Sequence, residues 1–453
     1  MKKFFIQAIL LGLLGLFPQL AGAYDFEQDG IYYEISTSSP SEVTVVHSEY
    51  TGSIIIPETV TNQGSTYTVT KIADKAFSEC TKLTSVTIPN TVTTIGWCAF
   101  GASPSLTSVI IPNSVTSIGP AAFTNCSALT SVTLPEGLTT IGGSFFYNCT
   151  SLTSVRIPSN VTMIGNSTFR NCSNLSYIML YDRITSIGAS AFAGCSALTS
   201  IEIPDSVTSI GASAYAGCSG LTSIEIPRSV TSIGASAFAG CSAIKELIIA
   251  DNNTTLSLNR DSFNGTAIES LYLGRNINGS FYNLSKLKEV TIGKNVTIIG
   301  TSTFNNCSAL TTVKISNGTK WSETLNFYSI PTLTEFIVDE NNNDFSTNEG
   351  VLLNNTGTTL LSAPCAKNGS YKIPDGVTTI NESAFCNCSQ LTSLEIPESI
   401  ATIGKSAFLN CSGLTSIKIL GNRITTIEES AFKGCSGLTS IEIPRSITTI
   451  GKS

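Results

Sequence analysis

Short stretches of this chain alternate strictly between apolar and polar residues, and the alternation recurs at a fixed interval. In Leu83–Ile88, Val86 and Ile88 are separated by Thr87 and preceded by Ser85. That is the period-2 pattern of a strand with one buried face. Pro89 follows at once and cannot donate to a ladder, so it ends the strand. Val92 and Ile95 mark a second short extended segment that points back into the same core. Gly96 then reads as a turn, because a residue without Cβ accepts conformations that others resist. Ala99 and Phe100 fill the interior, and the next unit begins at Leu106. The aromatic position recurs at Phe77, Phe100, Phe123, Phe146, Phe169, Phe192, Tyr215 and Phe238, each 23 residues after the last (100 − 77 = 23). A fixed period in the twenties predicts a β-rich solenoid, in which one coil cannot bury its own apolar face and stacking supplies the core. Such a molecule offers a long regular surface.

Outside the regular period the pattern changes. Residues 1–23 carry Lys2 and Lys3, an apolar stretch from Phe4 to Leu16, and Ala21-Gly22-Ala23. These are the parts of a secretory signal peptide with cleavage after Ala23. The apolar run is shorter than the roughly 20 residues a membrane span needs, so the mature chain is expected to have no transmembrane segment. Residues 24–69 lack the repeat and read as an N-terminal β cap, with Asn62-Gln63-Gly64 as a hairpin turn. Repeats occupy 70–338 and 373–453, with Phe263, Phe281 and Phe304 unevenly spaced. Between them, 339–372 reads as a hairpin insertion turning at Asn354-Asn355-Thr356-Gly357. The last coil stops at Ile450-Gly451-Lys452-Ser453, before its Ala-Phe. An open coil would expose core and a strand edge. The sequence therefore reads as a fragment of a longer protein, or as one whose end another module covers.

The consensus L-x-x-V/I-x-I-P-x-x-V-x-x-I-G-x-x-A-F-x-x-C resembles the BspA-like leucine-rich repeats over about residues 70 to 453. The segments Tyr24-Asp25-Phe26, Asp29–Tyr33 and Gly350-Val351-Leu352 also look like pieces found with that family. The resemblance implies a shallow horseshoe of ~23-residue coils with short parallel strands. It further implies a secreted or cell-surface protein of bacterial type, associated with adhesion to host matrix proteins or to other cells. No complete surface-sorting module stands at the C-terminus.

Composition removes most enzymatic readings. Charged residues make up 13% of the 453 residues, and the net charge is −7. Neither a Lys/Arg run nor a basic stripe is present, which argues against nucleic acid as a partner. His47 is the one histidine, and no nucleophile motif lies near it. A Ser-His-Asp, Cys-His or zinc site would have to be built on that residue. Cys126, Cys149, Cys172, Cys195, Cys218 and Cys241 are 23 apart and form one column, expected to be free thiols acting as small apolar residues. Ser103 takes that place in the second coil. Cys365 and Cys386 lie off the column and are the pair best placed to bridge. Glu202 and Glu225 are equivalent outward carboxylates rather than an acid–base pair in a cleft. The sequons at Asn125, Asn148, Asn160 and Asn171 follow from the repeat consensus. No catalytic residue, cofactor or metal is expected.

The residues between the buried ones project from the parallel strands, one per coil. A scaffold without a partner would keep Ser or Thr there. Departures cluster at Arg156, Tyr177 and Met179, then at Glu202, Glu225, Glu246, Ile248 and Tyr272. Exposed aromatics, Arg and Met are the types enriched at interface cores. These eight are the candidate partner-binding residues, and the expected partners are proteins or glycans. The alternatives are a structural spacer or surface-layer element without ligand, and the binding part of a longer protein with an enzyme module beyond Ser453.

Overall fold

The computed structural model describes residues 24–452, and the signal peptide expected at 1–23 lies outside them. The chain divides into two compact units, one ending at Leu138 and one beginning at Thr139. Each is a β-solenoid of stacked coils. Among the described residues the one helical element is the 3-10 turn Phe327–Ser329.

In the first unit the outward sheet runs Ser131–Thr133, Ser108–Ile110, Lys82–Thr87, Thr51–Ile55, all parallel. Registers are exact repeats: Val86 lies beside Val109, and Val109 beside Val132. The second sheet holds the two-residue strands Thr94–Ile95 and Ser117–Ile118. It begins on antiparallel strands Phe26–Gln28 and Ile31–Ile35. The hairpin Thr59–Asn62 with Ser65–Ile72 turns on Gln63 and Gly64, both at positive φ. Tyr50 packs on Phe77 at 4.7 Å and starts the aromatic file, Phe77–Phe100–Phe123, with rings 5.3 and 5.1 Å apart and nearly parallel.

The second unit repeats the arrangement. Phe146, Phe169, Phe192, Tyr215 and Phe238 stack at 5.1–5.4 Å, all fully buried. The file loosens at Phe263–Phe281, where the separation is 6.2 Å. There the proline that ends each strand is replaced by Ala250, Gly274 and Gly293. Arg275 is enclosed completely and reaches back to the carbonyls of Pro227 and Arg228, each at 3.0 Å. Farther on, Val351–Asn354 pairs antiparallel with Thr359–Ser362. Phe345–Asn348, a strand the sequence reading did not place, pairs on its other side.

Three assignments from sequence change. The repeated glycine is not a positive-φ turn. A Cβ on Gly96 would lie 2.4 Å from the backbone nitrogen of Asp74, so the residue is glycine because the previous coil passes too close. The left-handed positions fall two residues later, at Cys98, Ala121 and Ser190, and again just before the cysteine column, at Asn125, Asn148 and Gly194. The cysteine column is also more than apolar filling. None of the fourteen cysteines forms a disulfide among the described residues. Cys126, Cys172, Cys195 and Cys218 each donate to the carbonyl of the aromatic residue in the preceding coil, at 3.0–3.1 Å. Ser103 makes the same bond to Phe77 at 2.6 Å, which explains why serine substitutes there. Cys195→Ser should therefore cost less stability than Cys195→Ala, which takes away one of the two donors to the buried carbonyl of Phe169 and leaves it only the Cys172 N–H, a loss of about 0.5–1.5 kcal/mol. Urea unfolding of the two variants measures the order; a purely apolar column would reverse it.

Cys365 and Cys386 do not bridge. The Cys365 sulfur faces the carbonyl of Cys386 at 3.7 Å and that of Tyr328 at 3.3 Å, so its hydrogen-bonding partners are backbone oxygens rather than the other sulfur. Burial pushes the Cys126, Cys172 and Cys365 thiols up to about 12, which removes thiolate character at neutral pH.

Stacking also accounts for the low charge. Equivalent residues sit one strand spacing apart, about 4.8 Å, so a charged consensus would align like charges. Hydroxyls avoid this. Thr107, Thr130, Thr185 and Thr208 each donate to the matching threonine carbonyl one coil back, at 3.1–3.2 Å.

Candidate interaction surface

The strands Ser154–Arg156 and Tyr177–Met179 pair in parallel, with Ser154 beside Tyr177 and Arg156 beside Met179. Alternation buries Val155 and Ile178 and sends the flanking side chains outward. Tyr177 keeps 56% and Met179 47% of its surface exposed. With Arg156, Ser154 and Tyr181 they line a hollow of about 280 Å³. Tyr181 occupies the place where most coils have proline, and its substitution there was the available sequence signal for it.

Glu202 and Glu225 lie on the neighbouring coils. Residues 200–203 carry the consensus but form no strand, so the outward sheet is interrupted between Tyr177–Met179 and Ser223–Ile226. A broader hollow of about 740 Å³ opens at this interruption, lined by Glu202, Glu225, Asp182 and Asp205 among others. Since Tyr181 and Asp182 are consecutive, the aromatic and acidic hollows adjoin. Asp205 meets Arg228 at 3.5 Å, with both side chains mostly exposed, a pair of little energetic weight.

The other candidates follow on the next strands of the same face. Glu246 stands beside Ser223 and Ser270 on the strand Glu246–Ile249. It lines a charged hollow of about 500 Å³ with Lys245, Glu269, Lys288 and Glu289. Charges alternate there and pair: Lys288 meets Glu269 at 2.6 Å, and Lys314 meets Glu289 at 2.8 Å. Ile248 lies between Glu225 and Tyr272 and is half-buried. The Tyr272 hydroxyl donates to Asp251 at 3.1 Å, and burial together with that carboxylate raises its pKa to about 12. Its polar end is thus committed within the fold. The eight candidates lie on successive coils: Arg156, Tyr177, Met179, Glu202 and Glu225 border the two hollows, and Glu246, Ile248 and Tyr272 continue the face on the strands that pair next to Glu225.

His47, the residue any histidine chemistry would need, donates its Nδ1 proton to the carbonyl of Lys75 at 2.8 Å and ties the cap to the first turn. Among the described residues, no group of three or more His, Cys, Asp or Glu side chains is placed to hold a metal ion. No helix among them is long and apolar enough to cross a membrane.

In-register coils of this length, with parallel strands on one side and almost no helix, define a leucine-rich-repeat β-solenoid. The family model for the BspA type leucine rich repeat region (6 copies) matches residues 57–176, 162–279, 257–349 and 362–453. The chain belongs to that family. It is similar to a leucine-rich repeat protein from Bacteroides ovatus, with 28% identity, a TM-score of 0.59, and coverage of 95% of this chain and 100% of the other. A leucine rich cell surface protein from Faecalibacterium prausnitzii is 25% identical, with a TM-score of 0.40 and coverage of 96% and 95%. No curated protein matches this chain.

Proposed function

We propose that this is an exported, cell-surface, non-catalytic adhesion protein that holds a macromolecular partner on its outward strand face. The observation carrying this reading is the adjoining pair of hollows, where Tyr177, Met179 and Tyr181 gather large side chains on a face whose repeat consensus is Ser and Thr. Large apolar side chains held on a paired strand lose little further freedom on binding, which favours them as anchors. The acidic rim from Asp182 to Glu225 adds a preference for a partner surface carrying Lys or Arg. The signal peptide places the molecule outside the cell, where host matrix proteins and the surfaces of other cells are its partners.

The test uses the full chain and the variant Arg156→Ser/Tyr177→Ser/Met179→Ser against immobilised matrix proteins and glycans. Saturable binding of the parent is expected, weakened roughly 100-fold or more in the variant with its unfolding midpoint unchanged. Saturable binding that survives the triple change would move the site off this face. No binding by the parent would leave the solenoid as a spacer.

A further inference from the structure

A second hollow lies away from the strand face, and it arises from a redistribution within one coil. The coil from Leu310 to Thr332 has the usual length, since Leu333 starts the next one 23 residues on. Yet Leu325, which bridges to Ile299, stands fifteen residues after Leu310. The matching Ile118 stands twelve after Leu106. Three residues have been added before this position, among them Trp321 and Glu323. Three have been removed after it, because Phe327 follows Leu325 by two residues and Phe123 follows Ile118 by five. The wide turn of an ordinary coil is thereby replaced by the tight 3-10 turn Phe327–Ser329. The next complete turn, at Asn381–Ser383, is not shortened. A hollow of about 300 Å³ is left between them, lined by Trp321, Glu323, Asn326, Tyr328, Asn381 and Glu382 among others. That volume is at the lower end of small-molecule sites.

The lining is unlike any consensus position. It combines two aromatic faces with two carboxylates and two side-chain amides, and no Lys or Arg lines it. Lack of a cation disfavours phosphate, sulfate and carboxylate ligands. Aromatic faces take the C–H side of a saturated ring by apolar contact. Carboxylates accept hydrogen bonds from hydroxyls, and amides both donate and accept. The Asn326 Nδ2 is already committed to the carbonyl of Ile299 at 2.9 Å, which leaves its Oδ1 as the acceptor. A small cation would use the carboxylates and the amide oxygens but leave both aromatic faces idle. A neutral pyranose uses all of these groups. We propose that this hollow is a binding site for one ring of a neutral saccharide, separate from the partner-binding face.

Trp97→Phe leaves Trp321 as the sole tryptophan, since the chain has two. Its emission is followed during titration of the full chain with glucose, galactose, mannose, N-acetylglucosamine and N-acetylgalactosamine, free and as tetrasaccharides. A saturable change with at least one of them is expected. Calorimetry on the parent, Trp321→Ala and Glu382→Ala should then show at least tenfold weaker binding in both variants. Glu382 is exposed, so its replacement leaves the fold intact even if Trp321→Ala loosens the coil. Arg156→Ser/Tyr177→Ser/Met179→Ser should bind the sugar as the parent does, which separates this site from the strand face. No saturable signal with any of these sugars overturns the proposal. So does binding that Glu382→Ala leaves undiminished.

Discussion

Phe192→Ala is expected to destabilise the second unit by about 3–5 kcal/mol, the range for emptying a buried Phe site. Phe192 is fully buried between Phe169 and Tyr215, at 5.3 and 5.2 Å, with rings within 7° of parallel. The substitution therefore removes two stacking contacts as well as the area of one ring, and each aromatic pair adds about 0.5–1.5 kcal/mol. The effect should not spread evenly. In a stacked array each coil contacts only its neighbours, so loss of one ring weakens two interfaces and lets the array open there. Amide hydrogen exchange should rise first in the coils carrying Phe169, Phe192 and Tyr215, ahead of that at Phe385 and Phe408. Equal acceleration along the whole unit would mean that the coils melt as one body. Tyr215→Phe is the control of opposite sign. Among the described residues the buried Tyr215 hydroxyl has no hydrogen-bond partner, so its removal should raise stability by about 1–3 kcal/mol.

Much of this architecture is legible in the sequence because stacking converts a period into a contact list. Once Phe169 and Phe192 share a place in the coil, their contact follows, and so does the pairing of Arg156 with Met179. What was not legible is whatever depends on the distance between coils rather than on position within one. Gly96 looks like a turn residue until the backbone of Asp74 is found beside it. Cys126 looks like a small apolar residue until the carbonyl of Phe100 is found at 3.0 Å. The candidate surface divides in the same way. Tyr177 and Met179 could be placed outward by alternation alone. That Glu202 sits where the sheet is interrupted, and that Tyr272 is spent on Asp251, depends on local departures from the period. The shift of three residues around Leu325 is hidden for a related reason: the coil length stays the same, so the count between leucines does not betray it.

The glycine column gives the second large effect. Gly211→Ala should cost about 3 kcal/mol, as much as substitutions that remove far more surface, because overfilling a closed contact moves backbone rather than side chain. A Cβ on Gly211 would lie 2.5 Å from the Ala189 nitrogen and 2.6 Å from the Gly188 carbonyl carbon. No rotamer relieves a clash between backbones. The coils must separate, at the expense of the bonds from Gly211 to the Ile187 carbonyl and from Ser190 to the Ala212 carbonyl, both 2.8 Å. Gly194 makes the discriminating comparison. Its φ of +78° is a left-handed conformation, and the nearest atom to an added Cβ is the side-chain oxygen of Asn171, which can swing aside. Asparagine holds this place at Asn148 and Asn171, where the Asn171 amide donates to Asn148 at 2.8 Å. Gly194→Asn should extend that ladder by one rung and leave the unfolding midpoint within about 0.5 kcal/mol of the parent. If the glycines of the repeat served only to permit a turn, Gly211, which is not at positive φ, would tolerate alanine, and Gly211→Ala would be at least as stable as Gly194→Asn. Denaturant titration of the two variants distinguishes these orders directly, and close approach between coils requires Gly211→Ala to be the less stable.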